Sequence, residues 1–179
     1  MPRPLSQRCW VPGGTLARVL TAEGYLHFVD RALDGMAAVL TGLGDDLANR
    51  RPDLPGANSP YGIVNHCLGV LSFWGGQIVG GRDVPRDRAA EFTATGPVSD
   101  LLERLQAVRA RFADDVGAAV PSDPCRREAP PKYRDTPIGA NQGMALLHVY
   151  EELAQHRGHL ELTRDVLLAQ DGQLTRRRP

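Results

Sequence analysis

The chain has 179 residues, which is enough for one domain that buries a sizeable core without disulfides. Its 21 basic and 21 acidic residues cancel, which argues against a nucleic-acid-binding protein because such proteins usually present a basic face. Three irregularly spaced cysteines (Cys9, Cys67 and Cys125) argue against a disulfide framework and predict a cytoplasmic protein. The sequence contains neither the ~20-residue apolar run of a membrane span nor an N-terminal secretory signal.

The N-terminal region predicts an arm followed by a helix. Residues 1–14 contain several prolines and glycines and are expected to form a loose arm. A first helix is predicted from Thr21 to Leu40, because apolar residues recur there every three or four positions. Gly42 and Gly44 predict its end. Its core-facing stripe comprises Leu26, Val29, Leu33, Met36 and Leu40.

A second helix is predicted between two clear boundary signals. Ser59 followed by Pro60 indicates its start, because a hydroxyl caps a helix N-terminus and proline fits the first helical position. Gly80–Gly81 indicates that it ends after Val79. Cys67 is expected to be a buried apolar thiol. One inner face carries His66 together with Ile63, Val70, Phe73, Trp74 and Gln77.

Two further helices are predicted in the second half of the chain. Residues 82–97 form a charged connection without periodicity, after which Ser99 is expected to cap the third helix. The prolines of residues 121–135 predict a loop, and Thr136–Pro137 predicts the start of a fourth helix that runs to about Leu168. The stripe of the third helix comprises Leu101, Leu105, Val108 and Phe112.

These elements predict an all-α fold. No segment shows convincing strand periodicity, and long links stand beside short ones, which favours a four-helix bundle with crossover connections. The bundle is expected to span residues 15–170. Residues 171–179, with three arginines at 176–178, are expected to form a basic solvent-exposed tail. The apolar content permits a homodimer without requiring one.

One face of the fourth helix gathers side chains that can bind metal. At about 100° per residue they project within roughly a quarter of the helix circumference; they are His148, Glu152, His156 and His159. Met144 and Ala145 share this face, so we expect it to point inward. A buried carboxylate among imidazoles is costly unless it is paired, and a metal ion removes that cost.

The spacing of Glu152 and His156, one helical turn apart, lets both side chains reach one ion. His66 on the second helix is the natural third ligand. Three ligands leave a coordination position open, as in catalytic sites. Zn²⁺ is favoured by this mixed set, and Ni²⁺, Mn²⁺ or Fe²⁺ would also fit. The competing interpretation is that these are hydrogen-bonded core histidines beside a surface Glu–His pair.

Other polar side chains near this face receive supporting roles. Glu151 points to the other side of the helix and is expected either to contact one of the metal-binding side chains or to lie on the surface. His148 is expected to line the pocket. His159 is expected to orient a ligand or a substrate, and Arg157 or His159 to bind an acidic group of a cosubstrate. His27, alone on the first helix, is interpreted as structural.

The chain resembles the DinB-like superfamily, and within it the thiol-transferase branch. The resemblance spans roughly residues 20–168. The stretches that carry it are LTGLGDDL at 40–47, NSPYGIVNH at 58–66 with Trp74, and LHVYEELAQHRGHLELTRD at 147–165. The resemblance implies a four-helix bundle that holds a metal through one side chain of the second helix and two of the last. Its Glu-and-His variant, found in mycothiol-dependent maleylpyruvate isomerases, corresponds to Glu152 and His156.

The resemblance also implies a low-molecular-weight thiol, mycothiol or bacillithiol, as cosubstrate. Only about ten residues follow the fourth helix, which favours a single-domain S-transferase that conjugates small electrophiles over the two-domain isomerases. Two alternatives remain open. One is a non-catalytic stress or binding protein stabilised by its metal, and the other is a metal-assisted hydrolase with Glu151 or His159 as base.

Overall fold

A computed structural model describes residues 21–172, and this part of the chain is helical with no strand. The helices, in chain order, are α1 (Ala22–Asn49), α2 (Pro60–Val70), a π-helical segment that continues α2 (Leu71–Val79), α3 (Arg88–Glu91), α4 (Val98–Gly117), α5 (Pro131–Arg134), α6 (Pro137–Ala140) and α7 (Gln142–Gln170). The predicted all-α fold is therefore confirmed. No helix of residues 21–172 is both long and apolar enough to cross a membrane.

The long helices pack around a common apolar core. α1 contacts α7, α4 and α2, and α2 with its π-helical continuation contacts α7 and α4. Each fully buried leucine or phenylalanine contributes roughly 1.5–3 kcal/mol relative to an exposed one. The largest side chains of this core include Leu33, Met36, Leu40, Ile63, Leu101, Leu105, Phe112, Leu153 and Leu160.

The predicted end of the first helix at Leu40 is wrong, because α1 continues to Asn49. Leu43 and Leu47 extend the buried stripe beyond Leu40, and their burial outweighs the two glycines. Gly44 has a positive φ of 67° and produces a kink within the helix instead of its end.

The predicted boundaries of the second helix are confirmed, but its second half is π-helical. The Ser59 hydroxyl accepts a hydrogen bond from the Gly62 amide at 3.1 Å, as a cap should. Gly75 lies in the π-helical segment, where a Cβ atom would come within 2.4 Å of the Phe112 ring. The glycine therefore lets α4 approach this segment closely.

The predicted start of the third helix is two residues late, because the residue at the cap position is Pro97 and not Ser99. α4 begins at Val98, and the Ser99 hydroxyl donates to Asp100 instead of capping the helix. The Val98 amide donates to Asp45 Oδ1 of α1 at 2.8 Å. A side chain distant in sequence thus supplies the cap, which local sequence patterns do not reveal.

The predicted continuous fourth helix from Thr136 is also wrong. α6 ends at Ala140, and Asn141 adopts extended backbone with φ −156° and ψ 170°. Its side chain accepts from the Met144 amide at 2.9 Å and so caps α7, because asparagine competes well at helix starts. The segments predicted as irregular contain the short helices α3 and α5.

Several predictions concern residues that the structure does not describe. The arm at 1–14 and Cys9 lie outside residues 21–172, as does all of the predicted tail except Asp171 and Gly172. The boundaries of the predicted domain at 15 and 170 stay predictions.

Candidate metal centre

The three side chains predicted as metal ligands lie together. His66 comes from α2, and Glu152 and His156 come from α7, one turn apart. One donor atom of each lies within 4.8 Å of the donors of the other two. Glu152 Oε2 lies 3.5 Å from His66 Nε2 and 3.5 Å from His156 Nε2. The structure therefore contains a candidate metal-binding triad at this position.

Two imidazole nitrogens of the triad are buried without a hydrogen-bond partner. They are His66 Nε2 and His156 Nδ1. Glu152 Oε2 lies 3.5 Å from His66 Nε2, which is too long for a good hydrogen bond. A buried polar atom without a partner costs about 1–3 kcal/mol. Two imidazoles and one carboxylate form a donor set that suits a divalent ion such as Zn²⁺. The residues present therefore fit a metal.

The electrostatics favour a cation between these residues. The imidazoles of His156 and His66 hold the pKa of Glu152 well below its usual range, so its carboxylate is ionised at neutral pH. Burial lowers the pKa of His66, but the carboxylates of Glu152 and Glu91 outweigh burial and raise it overall. The carboxylates of Glu152 and Glu91 thus lie on the two sides of the His66 ring.

Glu91 is a functional candidate that sequence reasoning missed. It lies at the end of α3, is buried, and places Oε2 2.7 Å from His66 Nδ1. Arg86 donates to the same carboxylate through Nε at 2.7 Å and Nη2 at 3.0 Å. Residues 82–97 show no periodicity, so no spacing pointed to Glu91. The one local feature that sequence could have used is Asp87, a residue type that often caps helices. In the structure it caps α3 by accepting hydrogen bonds from the amides of Ala89 and Ala90.

A pocket of about 370 Å³ adjoins the triad and includes His66 and Glu152 in its lining. Aromatic side chains form part of its wall, and three cations line it as well. The aromatic residues are Phe73, Trp74 and Tyr133, and the cations are Arg86, Arg88 and Lys132. Trp74 is buried as predicted, and Phe73 is half-buried. The pocket thus borders two of the three triad residues, His66 and Glu152.

His148 lines this pocket, as predicted. Its ring centroid lies 4.8 Å from that of Trp74 and 5.0 Å from that of Tyr133. Its Nε2 lies 3.7 Å from Glu152 Oε1, and its Nδ1 lies 3.1 Å from Oε2 of the exposed Glu151. Glu151 therefore reaches the site through His148.

The remaining predicted residues lie farther from the triad. His159 is exposed, with its ring centroid 6.1 Å from that of His156. Its partial burial, followed by the charge of His156, lowers the pKa of His159. The guanidinium of Arg157 turns towards α1, donating to Glu161 at 2.9 Å and to the Arg31 carbonyl at 3.0 Å. His27 is exposed on α1. Cys67 is fully buried, and burial raises the pKa of its thiol.

Comparison with known proteins identifies the family. The Mycothiol-S-transferase family model matches residues 25–169, a span that begins in the first turn of α1 and ends in the last turn of α7. Comparison with curated proteins gives no match. The matched span includes all three residues of the triad, and it confirms the resemblance inferred from the sequence. The chain therefore belongs to the Mycothiol-S-transferase family.

Proposed function

We propose that this protein is a metal-dependent S-transferase that joins a low-molecular-weight thiol, mycothiol or one like it, to a small electrophile. Membership of the family supports the thiol as cosubstrate. The observation that carries the metal dependence is that His66 Nε2 and His156 Nδ1 are buried without hydrogen-bond partners, on rings that flank an ionised Glu152. A cytoplasmic location is a further part of the proposal, which permits a homodimer without requiring one.

His66, Glu152 and His156 would hold the metal. Three protein ligands leave room for a further ligand, as catalytic zinc sites do. Zn²⁺ is our first choice, and Ni²⁺, Mn²⁺ and Fe²⁺ are compatible with the same donors. A bound divalent ion supplies positive charge that favours the thiolate form of a nearby thiol.

The transfer forms one bond between the thiol sulfur and an electrophilic carbon. A leaving group departs with the electron pair of the bond that breaks, and the thiol proton passes to a base. His148 is placed to take this proton, because it lines the pocket and is held by Glu151 through Nδ1. In this scheme Nε2 of His148 is the proton acceptor and Glu151 orients the ring.

The pocket beside the triad would bind the substrates. Its volume of about 370 Å³ is sufficient for a small electrophile. Phe73, Trp74 and Tyr133 in its wall would offer apolar surface to the electrophile. His159, at the exposed side of His156, would contact the outer part of the substrates. The role of Arg157 in binding the thiol stays a prediction.

The direct test is conjugation of mycothiol to a chlorobimane-type electrophile by the purified protein. We expect fluorescent product with the metal-loaded protein, loss of product with a chelator, and recovery when metal is added back. Absence of product with any thiol, although one metal is bound per chain, would contradict the transferase. Chelation that lowers only the melting temperature would then favour a stabilising metal, and turnover without thiol would favour hydrolysis.

A further inference from the structure

The two nitrogens of His66 have different surroundings. Nδ1 lies 2.7 Å from Glu91 Oε2, whereas Nε2 on the other side of the ring faces Glu152 and has no hydrogen-bond partner. The ring stacks on Phe92, with centroids 4.3 Å apart and planes 26° apart. One nitrogen is therefore bound, the other is open, and the rotation of the ring is restricted.

The contact with Glu91 decides which nitrogen of His66 carries hydrogen. Arg86 donates to both oxygens of Glu91, which is the pairing that an ionised carboxylate makes. An ionised carboxylate only accepts hydrogen bonds, so Nδ1 must donate at this distance. When the ring is neutral, the lone pair therefore lies on Nε2, which faces the rest of the triad.

Glu91 is anchored from several sides. Arg86 binds both of its carboxylate oxygens, and the Asn65 side chain donates to its carbonyl at 2.9 Å. Gly69 leaves the space that the carboxylate occupies, because a Cβ atom there would lie 2.1 Å from Glu91 Oε1. The connection between the π-helical segment and α4 thus delivers one carboxylate to one imidazole nitrogen.

We propose that Glu91 is a positioning residue of the metal centre. It fixes His66 as the Nδ1–H tautomer and holds the ring so that Nε2 presents its lone pair towards Glu152 and His156. Partners of this kind also raise the basicity of a metal-binding imidazole. The inference deepens the proposed function and rests on it for the metal, whereas the effect on His66 is a property of the metal-free protein.

The test compares the wild-type protein with its Glu91→Gln and Glu91→Ala variants. Competition with a chromophoric chelator measures Zn²⁺ affinity, and ¹⁵N–¹H correlation spectra of the metal-free protein report the His66 tautomer at a pH that keeps the ring neutral. We expect Nδ1–H in wild type and a shift towards Nε2–H in Glu91→Ala. Zn²⁺ affinity should fall roughly 10–100-fold in Glu91→Ala and less in Glu91→Gln, which keeps the shape of the side chain.

Asp115→Asn is the matched control. Asp115 is also a buried carboxylate bound by an arginine of the same connection, but its partner is Arg82 and it does not contact the triad. We expect this variant to lower the urea midpoint of unfolding while Zn²⁺ affinity and the His66 tautomer stay as in wild type. If Glu91 had a purely structural role, its variants would likewise lower the urea midpoint and leave Zn²⁺ affinity and the His66 tautomer unchanged.

The outcomes separate this inference from the proposed function. Unchanged Zn²⁺ affinity in both Glu91 variants, or Nε2–H in wild-type His66, would overturn the positioning role. If wild type binds no Zn²⁺, the proposed function fails, and the tautomer alone decides the role of Glu91. If Zn²⁺ binding depends on Glu91 but no thiol is conjugated, the proposed function fails and the positioning role stands.

Discussion

Two arginines of one connection, Arg82 and Arg86, each bind a buried carboxylate, but with different consequences. Arg82 donates to both oxygens of Asp115 on α4 and ties the connection to that helix. Arg86 donates to both oxygens of Glu91, and one of these oxygens also accepts from His66. The Arg82–Asp115 pair has no contact with the triad in the part of the chain that the structure describes, whereas the Arg86–Glu91 pair is connected to the metal centre through His66.

This difference shows that burial of a carboxylate does not by itself indicate function. Asp115 and Glu91 are similarly buried, with 6% and 8% of their surfaces exposed. Asp115 has its charge balanced by a partner that is itself 43% exposed. Glu91 contacts an imidazole whose other nitrogen is open. The next contact along the chain of hydrogen bonds distinguishes a positioning residue from an anchor.

The largest expected effect comes from His66→Ala, which removes the imidazole that links Glu91 to the centre. Glu91 would then keep its contact with Arg86 but lose its contact with the imidazole, so that it would resemble Asp115, which is bound by Arg82. We expect metal content, measured by elemental analysis of purified protein, to fall from about one ion per chain to background, because one of three ligands is lost. His27→Ala, at an exposed histidine of α1, should leave the metal content unchanged. Equal metal in both variants would contradict the assignment.

An intermediate effect is expected for Gly69→Ala, which disturbs the Arg86–Glu91 pair and leaves the Arg82–Asp115 pair intact. The added methyl group would collide with the Glu91 carboxylate, so we expect a loss of about 1–3 kcal/mol in the free energy of unfolding together with weaker Zn²⁺ binding. Urea unfolding and chelator competition measure the two. Gly42→Ala is the control, because nothing lies within 4 Å of its added Cβ, and it should stabilise α1 by about 0.5–1 kcal/mol. Unchanged Zn²⁺ affinity in Gly69→Ala would argue against the role of Glu91.

The smallest effect on the metal centre is expected for Arg82→Leu, which breaks the Arg82–Asp115 ion pair. Asp115 would be left buried without its arginine, so unfolding should become easier by about 1–3 kcal/mol, while Zn²⁺ affinity stays unchanged. Arg109→Leu provides the comparison, because Arg109 binds the more exposed Asp30 and Asp34. This substitution should lower the free energy of unfolding by less than about 1 kcal/mol. Weaker Zn²⁺ binding in Arg82→Leu would remove the distinction between the two pairs.

The sequence predicted those features that depend on local pattern. Caps and apolar periodicity located the second helix from Pro60 to Val79. The one-turn spacing of Glu152 and His156 predicted that both could reach one ion. His66, predicted as the third ligand from another helix, lies beside them. These features follow from helix geometry, which is the same in every protein.

The features that the sequence did not predict depend on contacts between distant residues. Asp45 caps α4 from another helix, and the buried leucines after Gly42 carry α1 beyond its expected end. Glu91 is far from His66 in the chain and lies in a segment without periodicity, so only tertiary packing brings its carboxylate to the ring. Hydrogen bonds that support a site are in general less visible in sequence than its direct ligands.

The most direct test of this account is a crystal structure of the zinc-loaded protein with anomalous data collected at the zinc edge. We expect one anomalous peak bound by His66 Nε2, the Glu152 carboxylate and a nitrogen of His156, with Glu91 still hydrogen-bonded to His66 Nδ1. A structure without zinc between these three side chains, or with His66 turned so that Nδ1 binds the metal, would contradict it.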